Sequence, residues 1–440
     1  MDMPATKLPI IDADAHVVEP FQLWTERMPA EFQDLIWRRE VDPDGHERLF
    51  YDGRELNIEW STGSLSTPGA IQAGGRLDID IETEVDEGVR DPRRRLQLMD
   101  EQGIAVSVLF PSMMLGLADV RDERMQVEYA RVYNDWIADF CEADSDRLKW
   151  GAIIPAEDLA AAAAEAERAI SSGACAVMVP PIINKHQIPV SDKALDRLHG
   201  LLAEAGAPLV VHAINPHNRC LSIYPHLRGR VQWQMGYSFQ NQLATMHVLD
   251  SDLLTRHPRL RIGFFEGDVG WVPHWFGRLD ATLSKMALVS PPRPTPVRNT
   301  FRRNCAMSAD MNDPQLAHAV RYLGSDSVLF ASDWPHHDGT WPDPIVAIRD
   351  HAELTDEEKR DILIHAPARF FGIDVAALLA HLPIDWSVDT PLHTIPPLLR
   401  HGRGAAIDGP ATVPRPLTGP TMERTSHTYA RNEQNDVPNQ

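Results

Sequence analysis

Short, near-continuous apolar runs recur along the chain and alternate with stretches of helical periodicity. The runs are Pro9–Asp14, Ala105–Ser112, Leu148–Pro155, Ala174–Pro181, Ala207–Ala213, Leu260–Asp268 and Ser327–Asp333, rich in Val, Ile and Phe. Runs that are apolar throughout, rather than alternating, suit parallel strands covered on both faces. Between them, Arg121–Ala143 places Tyr129, Val132, Tyr133, Trp136, Ile137 and Phe140 at helical spacing. Glu157–Ser171 and Ser191–Ala205 read as two further helices, the second with Ser191 as its N-cap.

Strand and helix in alternation mean βαβ units. With an eighth, weaker strand near Phe301–Ser308, the pattern predicts an α/β fold, a (β/α)8 TIM barrel. A doubly wound sheet is the alternative, but no glycine-rich phosphate loop follows any of the runs.

Two regions interrupt the alternation. From about Arg38 to Val89 the chain is polar and turn-rich, with a β-hairpin expected around Asp44-Gly45. This stretch reads as an insertion after strand 1, placed over the barrel mouth. Residues 1–382 are therefore assigned to the barrel and 383–440 to a Pro-rich, largely disordered tail.

Composition narrows the function classes. The 440 residues are 43% hydrophobic, with 42 Lys and Arg against 63 Asp and Glu, a formal charge of −21. That imbalance argues against nucleic acid and anionic membrane surfaces as partners. No run of about 18 apolar residues and no secretory leader is present, and the four cysteines form no CxxC pair, so a cytoplasmic, reduced protein acting on a small molecule is expected.

The candidate chemistry lies where polar residues end the apolar runs. Asp14 and His16, two apart, project from one face of the first strand. His212 closes APLVVH, Glu266 closes LRIGFFE, and Asp333 closes SVLFASD. Singly, each has a plain structural explanation: a turn cap, an Asx turn, a satisfied buried histidine. All of them fall at predicted strand C-termini, the active-site face of such a barrel. Imidazole nitrogens with carboxylate oxygens suit a catalytic divalent ion, zinc first and manganese as the alternative. Such an ion polarises a carboxylate or carbonyl, or acidifies a water.

His336 and His337, on the loop after Asp333, are candidate substrate-binding groups. Trp271, Trp275 and Trp334 are candidates for an aromatic wall, while Arg93-Arg94-Arg95 reads as a solvated helix face.

IIDADAHVVEP, RRRLQLMDEQGIAVSVLFPS, RVYNDWIADFCEADSDRLKWGAIIP, LVVHA, TRHPRLRIGFFEGDVGWVPHWFGRLD and VLFASDWPHHD followed by ARFFGI occur in that order. Together they resemble the amidohydrolase-related family that includes aminocarboxymuconate-semialdehyde decarboxylase and gamma-resorcylate decarboxylase. The resemblance runs from about Pro9 to Asp374. It implies a (β/α)8 fold, one divalent metal ion and a homodimer or homotetramer. By position, the metal ligands fall on Asp14, His16, His212 and Asp333, and Asp333 is also the proton carrier. The chain departs from the family twice: Asp14 stands where His or Glu is common, and Glu266 where the decarboxylases have a catalytic His. The function expected is hydrolysis or non-oxidative decarboxylation of a small aromatic or cyclic acid or amide, with Asp333 and Glu266 as catalytic residues. A non-catalytic barrel or binding protein with a vestigial metal site is the alternative, but two carboxylates beside two histidines are unlike a closed structural zinc site.

Overall fold

The structure is a computed structural model that describes residues 7–395 apart from 44–45, 57–60, 70–77, 184, 214–228, 290–295, 310–312, 338, 340–342 and 384, and apart from the side chains of 229–234. The chain divides into Met1–Ala406 and Ile407–Gln440, and the second unit lies wholly outside the described residues.

Eight parallel strands follow one another around a barrel: β1 (Ile10–Val17), β2 (Ile104–Pro111), β3 (Leu148–Ile153), β4 (Ala176–Val179), β5 (Leu209–His212), β6 (Ile262–Phe265), β7 (Cys305–Ala309) and β8 (Val328–Phe330). Every residue of β1, β2, β4, β5, β6, β7 and β8 is buried, as parallel strands between a filled interior and a helical layer require. The ring is drawn together beyond the end of β8. Asp333 N–H donates to the Asp14 carbonyl at 3.0 Å, and His16 N–H donates to the Trp334 carbonyl at 2.7 Å. Two of the sequence-predicted site residues, Asp14 and Asp333, are thereby adjacent through their main chains.

The barrel interior is filled by aromatic rings set against glycines. A Cβ on Gly151 of β3 would stand 2.2 Å from the Phe110 ring, and one on Gly263 of β6 would stand 2.6 Å from Phe265. The Phe110 and Phe265 rings meet edge to face with centroids 5.8 Å apart, and Phe110 lies 5.8 Å from the His212 ring and 6.4 Å from His16. These phenyl groups form the floor under the polar strand ends.

The insertion contains a three-stranded antiparallel sheet, Arg38–Val41, Glu47–Tyr51 and Arg54–Leu56. Its expected turn residues Asp44 and Gly45 lie outside the described residues, but Arg38 pairs with Phe50 and Val41 with Glu47 on either side of them. A short helix, Thr62–Leu65, follows, capped by the Ser61 side chain, which accepts from Ser64 N–H. The insertion is tied to the loop beyond β8: His337 N–H donates to the Leu65 carbonyl at 3.0 Å, and Gly69 N–H donates to the His337 carbonyl at 2.9 Å. It therefore sits at the C-terminal end of the barrel.

Three expectations change. The helix expected over Ser191–Ala205 begins as a 3-10 turn, Lys193–Leu195, before Asp196–Ala205, and its cap is Asp192, which accepts from Ala194 N–H, rather than Ser191. The tail expected from 383 starts later. Lys7 N–H donates to the Asp385 carbonyl and Ser387 N–H to the Lys7 carbonyl, while Trp386 and Leu392 are buried. These two apolar side chains, the bonds to Lys7 and those from Arg360 to the Val388 and Thr390 carbonyls hold this stretch on the barrel; beyond Ile395 the tail lies outside the described residues. The third concerns Arg95 and belongs with the site.

Gly151→Ala is expected to lower unfolding stability by about 1–3 kcal/mol, because Phe110 has to leave its rotamer to admit the methyl group. Chemical denaturation measures this, and an unchanged midpoint would show the floor to be loosely packed.

Candidate active site

β1 carries Asp12, Asp14 and His16 on one face, all buried. His212 ends β5 and is also fully buried. The two imidazoles are oriented alike. His16 Nδ1–H donates to the Pro111 carbonyl at 2.8 Å, and His212 Nδ1–H to the Ala213 carbonyl at 2.5 Å. This bonding assigns the proton to Nδ1 in both rings and leaves each Nε2 lone pair directed inward. The inward atoms converge: His16 Nε2 is 3.6 Å and His212 Nε2 is 3.4 Å from the same atom, Asp14 Oδ1. Asp333 Oδ1 adds a fourth donor 3.2 Å from His16 Nε2.

Asp14 Oδ1 and both Nε2 atoms are buried with no hydrogen-bond partner among the described residues. An unmet buried polar atom costs roughly 1–3 kcal/mol, so three on one point demand an occupant. A divalent cation would meet all three at once, because a carboxylate oxygen and two imidazole Nε2 atoms can each offer it a lone pair. Nδ1–H bonded to a main-chain carbonyl is the usual way a metal-binding imidazole is held. Burial and the adjoining His336 hold His16 below the ordinary imidazole range, against the pull of Asp333 and Asp14, so its ring is neutral as a ligand must be. Asp14, His16 and His212 thus converge on one point, and Asp333 stands against it beside His16 and His336.

Asp333 and Glu266 share a backbone feature. Each stands just past a strand end with positive φ, 53° and 59°, a region that side-chain-bearing residues rarely adopt. Such conformations persist where the surrounding structure holds a side chain on a functional target. Asp333 Oδ1 accepts from His336 Nδ1 at 2.7 Å, and His336 Nε2 lies 3.0 Å from Ser112 Oγ. Burial alone would raise the Asp333 carboxyl, but the His336 and His16 rings outweigh it and hold the group well below the usual carboxylate range. Glu266 Oε2 lies 3.5 Å from His212 Nδ1, at the edge of the cluster.

His336 therefore faces the cluster, its ring 4.0 Å from His16. His337 is buried and contributes main-chain bonds to the insertion. Trp334 is buried beneath the site, and Trp271 Nε1–H donates to the Gly267 carbonyl at 2.8 Å. His247 and His274 are exposed on helices.

Several supporting residues escape the sequence reading. Arg95 is not solvated: it is buried, donates to the His16 carbonyl at 3.0 Å and lies 4.2 Å from the Trp334 ring, and burial brings its pKa down to about 10. Leu98 and Met99, three and four residues on, are buried on the same helix face and were the available signal. Asp12 accepts from Ser332 N–H at 3.0 Å and from its hydroxyl at 2.6 Å, and burial pushes its carboxyl up to about 7. Ser308, at the end of the weakly patterned β7, donates to Asp14 Oδ2 at 3.4 Å and accepts from Glu266 N–H at 3.0 Å. Glu19 accepts from the N–H groups of Ser112, Met113 and Met114, fixing the loop that presents Ser112 to His336.

With this geometry in view, comparison with known proteins is informative. A family model described as amidohydrolase matches residues 11–373. The chain belongs to this family. It is 29% identical over 255 residues to gamma-resorcylate decarboxylase of Rhizobium sp. (strain MTP-10005), covering 55% of this chain and 76% of that protein. Among solved structures, an amidohydrolase from Mycobacterium avium subsp. paratuberculosis K-10 matches with a TM-score of 0.69 at 19% identity, covering 84% of this chain and 99% of that one. A dihydroxybenzoic acid decarboxylase from Polaromonas sp. JS666, with bound manganese and the inhibitor 2-nitroresorcinol, matches with a TM-score of 0.57 at 18% identity over 84% and 99%. The structural matches carry the barrel, and the family model carries the membership. Among the described residues no single helix is long and apolar enough to cross a membrane.

Removal of the ion by a chelator is expected to lower stability by about 4 kcal/mol relative to protein held at a free-ion concentration 1,000-fold above Kd. Thermal denaturation of the two forms checks this, and equal midpoints would contradict an ion at the cluster. A second expectation concerns pH. Burial raises the Glu19 carboxyl above its ordinary value of 4.5, against the pull of its three N–H donors. The folded state then holds this proton to higher pH than the unfolded chain does, so the contribution is full below about pH 4.5 and declines as pH rises above it. Glu19→Gln has no such proton to lose, so the stability difference between the two proteins should carry the whole of that decline as pH rises from 4 to 7; a difference constant over that range would contradict it.

Proposed function

We propose that the chain is a metal-dependent carboxy-lyase that removes carbon dioxide from a small hydroxylated aromatic acid. The observation that carries this reading is the convergence of two imidazole Nε2 atoms and the Asp14 carboxylate on one buried point, with the Asp333–His336 pair against it. The similarity to aromatic acid decarboxylases supports the substrate class.

In this reading Asp14, His16, His212 and Asp333 hold one divalent ion. When bound, it supplies positive charge to grip the substrate carboxylate and an adjacent ring oxygen. Mixed nitrogen and oxygen donors accept zinc or manganese, and the manganese in the Polaromonas structure supports the second as much as the donor set supports the first. His336 lies toward the substrate and keeps Asp333 anionic at rest. The bond from ring carbon to carboxylate breaks, carbon dioxide leaves, and its electron pair stays on the ring carbon. A proton drawn from solvent through His336 reaches Asp333 and passes to that carbon, so charge and atoms balance. His337 acts through its main chain, holding the insertion over the site. Glu266 orders the edge of the site beside His212. The barrel, with the segment held on it as far as Ile395, forms the catalytic unit, working as a cytoplasmic homodimer or homotetramer without nucleic acid or membrane partners.

Hydrolysis is the second reading, and Glu266 favours it: a carboxylate cannot offer the cationic imidazolium that steadies a carboxylate substrate. The two are separated by incubating manganese-loaded and zinc-loaded protein with 2,6-dihydroxybenzoate and related hydroxybenzoates, and measuring carbon dioxide. Release with no consumption of water is expected, and Asp333→Asn should lower kcat by roughly 100-fold or more, the size of a lost proton-transfer group. No release from any hydroxybenzoate, with hydrolysis of a lactone or amide instead, would overturn the decarboxylase reading.

A further inference from the structure

A second cluster of donor atoms lies apart from the strand ends. Asp196 and His199 are three residues apart on the helix Asp196–Ala205, so they share one face. His257 follows the short helix Leu253–Arg256 and precedes β6. His257 Nε2 is 3.1 Å from Asp196 Oδ1, His199 Nδ1 is 3.7 Å from the same oxygen, and the two imidazole rings stand 5.6 Å apart. One donor atom from each of the three residues falls within 4.8 Å of the others.

His199 is the decisive member. Its side chain is 0% exposed, and neither ring nitrogen has a hydrogen-bond partner among the described residues. The Val190 carbonyl is near enough to favour a proton on the ring, yet burial and the neighbouring His257 bring its pKa down to about 4. A neutral imidazole, wholly buried and directed at a carboxylate and a second imidazole, is left with unmet hydrogen-bonding capacity.

We propose that Asp196, His199 and His257 form a second cation site, outside the barrel mouth, that takes zinc. Two imidazole nitrogens and one carboxylate oxygen suit a borderline ion. Asp196, 39% exposed, leaves the fourth position open to solvent. Arg256 is the competing group. Its Nη1 is bonded to Asp196 Oδ1, so in the absence of an ion the guanidinium neutralises the carboxylate. Arg256 also donates to Asp252 Oδ1 at 2.9 Å and to the Ser191 carbonyl at 3.0 Å, and these hold it when zinc takes the Asp196 oxygen. The site is independent of the catalytic reading, since it shares no residue with the strand-end cluster.

Zinc alone is the probe. Full-length protein is stripped, reloaded with zinc and desalted, and the bound metal is counted by plasma mass spectrometry, beside His16→Ala, His257→Ala and Asp196→Asn. Two zinc ions per chain are expected in the parent protein and one in each variant, with circular dichroism showing each variant folded. Asp196→Asn, at an exposed side chain, keeps the test open should His257→Ala fail to fold. Cobalt in place of zinc should give a visible absorption band that persists in His16→Ala and is lost in Asp196→Asn. A zinc content equal in the parent, His257→Ala and Asp196→Asn proteins would overturn the proposal, whatever His16→Ala does to the other site.

Discussion

The structure turns on two main-chain carbonyls. Pro111 at the end of β2 and Ala213 just past β5 each take the Nδ1 proton of an imidazole, from His16 and His212 respectively. That arrangement points both Nε2 atoms at Asp14 Oδ1, and all three atoms are buried. Without an ion, three acceptor atoms face one another with no donor between them, which is an expensive arrangement in a low-dielectric interior. The barrel supports it by rigid means: strand ends, a phenyl floor, and the main-chain bonds that draw β8 to β1. Buried Arg95 braces His16 through its carbonyl, Ser332 braces the β1–β8 seam through Asp12, and Ser308 braces Asp14 from β7.

Much of this was legible in the sequence because parallel barrel strands are apolar throughout, so a polar residue at a run's end stands out. Asp14, His16, His212, Glu266 and Asp333 were found in that way. β7 was the faint strand for a physical reason: CAMSA is built of small residues and follows the Arg-rich helix Val297–Asn304. Ser308 was missed with it. Arg95 was misread because three consecutive arginines suggest solvent, although only Arg95 shares the face of Leu98 and Met99. The positive φ of Glu266 carries no mark in residue type, and that of Asp333 only a weak one, since Asp enters this region more readily than most; both arise from where the strand ends and the loop bonds hold the backbone.

The insertion is tied to the loop beyond β8. Its segment Leu65–Gly69 is bonded to His337, one residue from the His336 that touches Asp333 and Ser112. The insertion and the loop that carries His336 are therefore joined by main-chain bonds, one peptide link from the Asp333–His336 pair.

The most direct test of the central claim is anomalous diffraction from crystals of the metal-loaded protein, recorded on both sides of the metal's absorption edge. A peak is expected at the C-terminal end of the barrel, bound by Nε2 of His16 and Nε2 of His212 together with the carboxylates of Asp14 and Asp333. No peak among these four residues, or one bound through Nδ1 of either histidine with Pro111 and Ala213 released, would contradict it.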